Sequence, residues 1–505
     1  MSIPRAMSLA HSRAGARLAA PITACCSDSP LSQYMRCSTP LGTFWAIPRD
    51  QPCTLRARSI AANRSNTSGT RDTSINSPAE GMKFTAHYSG SPVCAPSRCT
   101  LLTGLHTGHA YIRDNDEMES RGDVWHDLSL EGQRPLEAGT KTVGHVLQGA
   151  GYTTACIGKW GLGGPGSTGE PNAMGFDHFY GYLCQRVAHN HYPSYLWRNR
   201  EKVPLRNTYL YPHEKLAAGL DPKDVKSYAK YIGTDYAGDL MAEEALSFIT
   251  ANQAKPFFLY LAFAVPHAAI QVPEDSLAEY LGQFPETPYL GEKGYLPHRA
   301  PRAAYAAMIT RMDKHIGRVM DLVKRLGLDD NTVIMFASDN GPTFNGGTDS
   351  AFFESAKGLR GLKQDVYEGG MRVPLVARWP GHIPKGRTTS RPSAFWDMLP
   401  TFAELAGAKT SVPTDGVSLV PSLFGKPAEQ KSRDYLYWEF QGRQAVRMQN
   451  WKAVRLKPGR STELYDLATD PSEKTDVASS HPELVKKAEN IFLSGRTDSS
   501  LFPLK

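Results

Sequence analysis

No apolar run in this 505-residue chain approaches the roughly 20 residues that a membrane-spanning helix needs, and no internal repeat is present. The first absence excludes a helical membrane span and the second excludes a solenoid. Eight cysteines are scattered so that their spacing matches neither a zinc site nor a dense disulfide framework. Acids are nearly missing from the start: residues 1–70 hold eight arginines, no lysine and only Asp28 and Asp50. That segment carries +6 of the formal net charge of +7, leaving about +1 for everything after it. The basic balance is therefore local and gives no reason to expect nucleic acid as a partner.

What is present describes a globular protein: 41% hydrophobic and 10% aromatic residues, at a length that implies a large domain and a smaller one. Residues 1–78 stand apart, rich in Ser, Arg, Ala and Pro and without a sustained apolar period. A secretory signal needs a continuous apolar core, which Pro21 interrupts, whereas an organelle transit peptide fits the Arg- and Ser-rich composition. A mis-assigned start or shifted reading frame fits best, because the pattern of a folded domain begins abruptly near Ala79. The expected division is 1–78 atypical, 79–425 a large α/β domain, and 426–505 a small antiparallel sheet with a terminal helix.

The most informative stretch is Cys94-Ala-Pro96-Ser97-Arg98, followed by Leu-Leu-Thr103-Gly104. Pro96 suits the first turn of a helix, where a missing N–H costs nothing. Cys94 would then stand at that helix's N-terminus, with Arg98 one turn on along the same face. Further on, three strand-like runs each deliver polar residues to a C-terminal end, where ligands collect in open α/β sheets. Residues 152–157 lead to Lys159, the apolar run 256–265 leads to His267, and 332–338 leads to Asp339 and Asn340. Asp339 and Asn340 are hard oxygen donors suited to calcium or magnesium. Helices are expected at 142–151, 236–251, 304–326, 396–406 and 482–492, and short strands at 435–439, 444–447, 451–455 and 462–466. The loop His189-Asn190-His191-Tyr192-Pro193 has a spacing that permits sugar or metal contacts.

The Cys94–Gly104 string resembles the signature of the type I sulfatases, arylsulfatase-like members of the alkaline phosphatase superfamily. Gly158-Lys159-Trp160, Pro266-His267, Ser338-Asp339-Asn340-Gly341-Pro342 and Arg360-Gly361-Leu362-Lys363 resemble further family strings in the same order. The resemblance implies a three-layer α/β sandwich, with a large mixed, mostly parallel sheet between helices and a small C-terminal α+β subdomain. It also implies that Cys94 is oxidised to formylglycine by a maturation enzyme, and that Arg98, Lys159 and Lys363 hold the sulfate. His267 is implied as proton donor, and Asp339, Asn340 and residue 94 as ligands of Ca2+ or Mg2+. A sulfated carbohydrate or aryl sulfate is the implied substrate, and a periplasmic or secreted location the implied setting.

Two departures from the family pattern stand out. Gly161 occupies the position where many relatives carry a histidine, and no Asp-Asp or Asp-Glu pair precedes Cys94 to complete the cation site. The sequence therefore predicts weak cation binding, and an empty place in the sheet unless another segment fills it. Two rival readings follow: a phosphate or phosphonate ester hydrolase on the same fold, for which Ser or Thr is the commoner nucleophile, and a catalytically impaired binder of sulfated glycans.

Overall fold

Alternate residues of the central strands enter different cores. Phe257, Leu259 and Leu261 pack into one, with Ile334 and Phe336, while Phe258, Tyr260 and Ala262 pack into another, with Val333 and Met335. A strand buried on both faces needs helices on both sides, and that need sets the layers. The computed structural model describes residues 5–6, 42–48, 80–116, 131, 133–409 and 411–505, giving backbone alone at 5–6 and 42–48.

In chain order the first half comprises β1 (Arg5–Ala6), β2 (Gly42–Pro48), β3 (Met82–Tyr88), α1 (Cys94–Thr103), α2 (Val143–Gly149), β4 (Thr153–Lys159), β5 (His178–Tyr182), β6 (Tyr195–Arg198), β7 (Glu201–Pro204), α3 (Ala237–Ala251) and β8 (Phe257–Ala262). Then follow α4 (Glu274–Ala278), α5 (Pro301–Arg325), β9 (Thr332–Ser338), α6 (Glu368–Met371), β10 (Arg372–Arg378), β11 (Arg387–Thr389), β12 (Ser393–Ala394), α7 (Met398–Leu405) and α8 (Val420–Leu423). The chain closes with β13 (Leu436–Phe440), β14 (Arg443–Met448), β15 (Trp451–Arg455), β16 (Glu463–Asp466) and α9 (Pro482–Ser494).

The large sheet is mixed, in the order β11-β3-β10-β9-β2-β8-β4-β5-β6-β7, with β1 on β9 and β12 on β3. Parallel pairs join β8 to β4 and β4 to β5, while β10 runs antiparallel to β3 and β9. Residues of α3 and α5 pack on one face, and residues of α1, α2 and α7 on the other. Gly158 lets β4 approach β8: its φ is +124°, and a Cβ there would lie 2.0 Å from the Ala262 carbonyl oxygen.

The small sheet β13-β14-β15-β16 is antiparallel throughout. One face packs on Ala488, Ile491 and Phe492 of α9. The other packs on Tyr88, Val366, Tyr367, Met371 and Trp396, and so against the segment that follows Lys363.

The place in the sheet expected to stand empty unless another segment filled it is taken by a strand from residues 1–78. Gly42–Pro48 lies between β8 and β9 and runs antiparallel to both. The run Thr-Phe-Trp-Ala-Ile has high strand propensity, and the facing edges of β8 and β9 need hydrogen-bond partners. Apart from Arg5–Ala6, the rest of that segment, including Asp28, Asp50, Asp72 and four of the cysteines, lies outside the described residues. The helix expected at 396–406 is entered through a 3-10 turn, Phe395–Asp397, before α7. No helix among the described residues is long and apolar enough to cross a membrane.

Candidate active site

Cys94 opens α1, preceded by Val93 in an extended conformation, and the helix closes on Gly104 at φ +73°. The first backbone N–H groups of a helix lack internal acceptors, and that of Ala95 donates to Asn115 Oδ1 at 2.9 Å. Cys94 is buried, as are Arg98, Lys159, His267, Asp339, Asn340 and Lys363.

The segments reaching this helix terminus come from distant parts of the chain. Lys363 Nζ donates to Cys94 Sγ at 3.5 Å, and the Cys94 thiol donates to Asn340 Oδ1 at 3.7 Å. Arg98 donates from Nη1 to the Lys159 carbonyl at 2.5 Å, and its Nη2 lies 3.1 Å from Asp339 Oδ2. The loops are stitched together by backbone bonds, Lys363 N to the Pro342 carbonyl at 2.8 Å and Gly341 N to the Gly370 carbonyl at 2.8 Å. Gly341 is needed there, because a Cβ would meet the Gly369 carbonyl oxygen at 2.1 Å.

The charges of three cations, Arg98, Lys159 and Lys363, thus act on one carboxylate, Asp339, whose pKa burial nonetheless raises. Burial lowers the Lys159 pKa, and the charges of Arg98 and Lys363 push the same way against Cys94 and Asp339. Burial alone would also lower Lys363, but Cys94, Tyr295 and Asp339 outweigh it and hold that ammonium above its usual value. An anion entering this place would relieve the imbalance.

His267 follows the end of β8. Its Nδ1 contacts the Ala268 carbonyl, and because a carbonyl only accepts, that nitrogen carries the proton and Nε2 is left for chemistry. Burial, then Lys363, His189 and Lys159, hold the His267 pKa well below the usual imidazole value, so the ring is neutral near pH 7. The charges of Lys159 and Lys363 thus act on this ring.

Asp339 is the natural cation ligand. Neither of its carboxylate oxygens has an aligned hydrogen-bond donor despite full burial, and Asn340 Oδ1 stands next to it in the chain, close to Cys94. These hard donors fit a divalent cation as two members of its shell. Among the described residues, the three-membered His/Cys/Asp/Glu group with metal-like spacing is elsewhere: His106, His109 and Asp415. There Gly108 N–H donates to His106 Nδ1 at 3.2 Å, which puts that ring's proton on Nε2, the atom facing Asp415 at 3.7 Å. That group reads as a hydrogen-bonded staple.

All seven expected site residues are thus drawn into one neighbourhood. The sequence offered no signal for Tyr260, whose hydroxyl accepts from Arg98 Nη1 at 3.4 Å, or for Tyr295, whose ring stands edge-on to His267 at 5.6 Å. The first lies inside an apolar run and the second in a loop without a motif. The His189–His191 loop, only weakly marked in the sequence, reaches the site, with the His189 ring stacked on His267 at 4.6 Å. Gly161 adopts φ +79°, a conformation that favours glycine.

The sulfatase family profile matches residues 54–408, and a profile described as N-sulphoglucosamine sulphohydrolase, C-terminal, matches 362–491. Arylsulfatase G of Mus musculus is 30% identical over 416 residues, covering 75% of this chain and 70% of that protein. N-acetylgalactosamine-6-sulfatase of Canis lupus familiaris is 28% identical over 445 residues, covering 84% and 75%. The crystal structure of Ps i-CgsB in complex with k-i-k-neocarrahexaose superposes with a TM-score of 0.65 at 26% identity, covering 83% of this chain and 85% of that one. Sulfatases generally use a formylglycine and a divalent metal ion. The chain belongs to the sulfatase family, as a sulfuric ester hydrolase of the arylsulfatase-like type in the alkaline phosphatase superfamily.

Proposed function

We propose that the chain hydrolyses sulfate esters of carbohydrates and that residue 94 acts after a maturation enzyme has oxidised its cysteine to formylglycine. The observation that carries this reading is the convergence of Lys363, Asn340 and the Arg98–Asp339 pair on the residue that opens α1. Cys94 Sγ stands in for the oxygens of the hydrated aldehyde. That group, once formed, supplies one hydroxyl to attack sulfur and a second to expel sulfate.

The chain's own residues do the rest. Lys159 and Lys363 hold the sulfate oxygens as charge grows on them, while Arg98, expected to join them, is engaged by Asp339 and the Lys159 carbonyl and fixes the end of β4. His267 delivers a proton from Nε2 to the leaving oxygen. The ring is neutral in the empty site because burial and the two lysines disfavour its charge. A bound sulfate ester offsets the lysines and raises the ring's proton affinity. Asp339, Asn340 and residue 94 would hold a cation, calcium by preference or else magnesium, and such a cation would polarise the sulfate.

A carbohydrate substrate is supported by relatives named for N-acetylgalactosamine 6-sulfate and by a neighbour bound to k-i-k-neocarrahexaose. The test pairs peptide mass spectrometry at position 94 with turnover of 4-nitrocatechol sulfate and of a matching phosphate ester. Aldehyde at residue 94 with sulfate turnover is expected. Active protein with an unmodified thiol, or a preference for the phosphate ester, would overturn the reading.

A further inference from the structure

The turn His189–Asn190–His191 touches the segment after β8 at three points. His191 Nε2 donates to the His267 carbonyl at 2.8 Å, and the Ala269 N–H donates to the His189 carbonyl at 3.2 Å. The third contact is between rings: His189 lies on His267 with centroids 4.6 Å apart and planes 8° from parallel. Tyr295 meets both rings edge-on, at 5.2 Å from His189 and 5.6 Å from His267.

The turn is itself anchored. Ala237 N–H, at the start of α3, donates to the His191 carbonyl at 2.9 Å. The Tyr182 hydroxyl, at the end of β5, donates to the Asn190 carbonyl at 2.6 Å. His189 also meets His213, Nδ1 to Nε2, at 3.3 Å. Two elements of the scaffold thus hold a bracket, and the bracket holds one imidazole by its carbonyl and by its face.

We infer that His189 and His191 are positioning residues for His267 and aim its Nε2. The inference rests on the proposed role of His267 as proton donor. His191 is 1% exposed and the carbonyl it serves is buried with it, so removing its donor frees the one backbone tie that the turn makes to His267 itself. A ring already committed at Nδ1 to the neighbouring carbonyl has little freedom except rotation about χ1 and χ2. The stacked His189 and the edge of Tyr295 block that rotation from two sides.

A positioning role for a proton donor has a kinetic signature. A leaving group that departs as a stable anion needs no proton, whereas a sugar alkoxide does, and general acid help of this kind is worth about 10²–10⁴. In His191→Phe, kcat for galactose 6-sulfate is expected to fall at least about tenfold, with KM little changed. Turnover of 4-nitrocatechol sulfate stays near the parent's, and His191→Gln, which restores an N–H donor, recovers most of the loss. Equal loss on both substrates, or loss on neither, overturns the inference.

A second measurement needs no turnover. In protein with 15N-labelled histidines, His267 is expected to show the single Nδ1–H tautomer, assigned by its loss in His267→Gln. His191→Phe should convert it to a mixture of tautomers, and an unchanged His267 signal in that variant overturns the inference even if the chain hydrolyses neither ester. Absence of sulfate turnover together with the tautomer change would instead count against the hydrolase reading alone.

Discussion

Two buried charged clusters draw on residues five apart in the chain, Lys363 and Glu368, and are built on opposite principles. Around Lys452, every charge is answered: its ammonium is 3.0 Å from Glu368 and 3.1 Å from Glu473, and Tyr88 donates to Glu368 at 2.8 Å. Around Lys363, three cations face one carboxylate. The first cluster pins the small sheet to the α6 segment and is complete without any ligand. The second is left with an excess of positive charge, which a folded chain tolerates only where that excess has a use. The difference separates a staple from a binding site, although both are buried and both contain lysine.

Removing a lysine should therefore have opposite consequences in the two places. Lys452→Met leaves Glu473 without its cation and Glu368 with only Arg372 and Arg447, and such a loss costs about 3–5 kcal/mol. Urea unfolding is the measurement, and a variant as stable as the parent would erase the distinction. Lys159→Met or Lys363→Ala should lower kcat about 10²–10³-fold, the scale for one donor to a developing oxyanion. Lys159→Met is also expected to leave stability unchanged or raise it, since burial and like charge both disfavour that ammonium.

Inorganic sulfate sharpens the contrast without any chemistry. At about 100 times its dissociation constant it should stabilise the fold by about 2.7 kcal/mol, read as a rise in Tm. The shift is expected to vanish in Lys363→Ala and to persist in Lys426→Ala, which removes an exposed lysine at the surface.

Acid probes the staple. Burial pushes the Glu368 carboxyl up, but Lys452, Arg447 and Arg372 outweigh it and hold its pKa below the usual value. Its contribution is present above the ordinary glutamate range and is lost as pH falls through the depressed folded value, at about 1.4 kcal/mol per pH unit at most. Glu473, raised by burial despite Lys452, contributes with the opposite sign and flattens the slope. Stability measured from pH 5 to pH 3 should fall in the parent, and the Glu368→Gln variant should lose that part of the fall.

The smallest expected effect is that of calcium. Asp339 and Asn340 make only part of a shell of about six to eight oxygens, so calorimetry should show weak binding that Asp339→Asn abolishes. Tight binding would mean that the carboxylate-poor side of the site is better furnished than its described residues are.

Much of the fold was legible from hydrophobic period. The apolar run at 256–265 became β8, with every residue buried, and the amphipathic run at 304–326 became α5. The small sheet was readable from four short alternating runs. The hairpin β6–β7 was missed because its second strand is short and largely exposed, so it has little apolar pattern to show. Strand β2 was missed because its neighbours, and not its own period, give it a place. The position of Lys363 was legible as a motif, but its 3.5 Å approach to Cys94 spans 269 residues of chain.

The sequence by itself determined the chemistry available: one cysteine at a helix start, three cations, a histidine and a carboxylate–amide pair at strand ends, in an order that marks the family. Local rules suffice for that, because strand ends, helix starts and turns are written in neighbouring residues. Tertiary structure alone decided how the charges balance and which rings touch. The stacking of His189 on His267, the answer of two glutamates to Lys452, and the lack of such an answer for Lys159 depend on segments brought together by packing of a common sheet. No short stretch of sequence encodes a contact whose two halves are held in place by the burial of residues far from either.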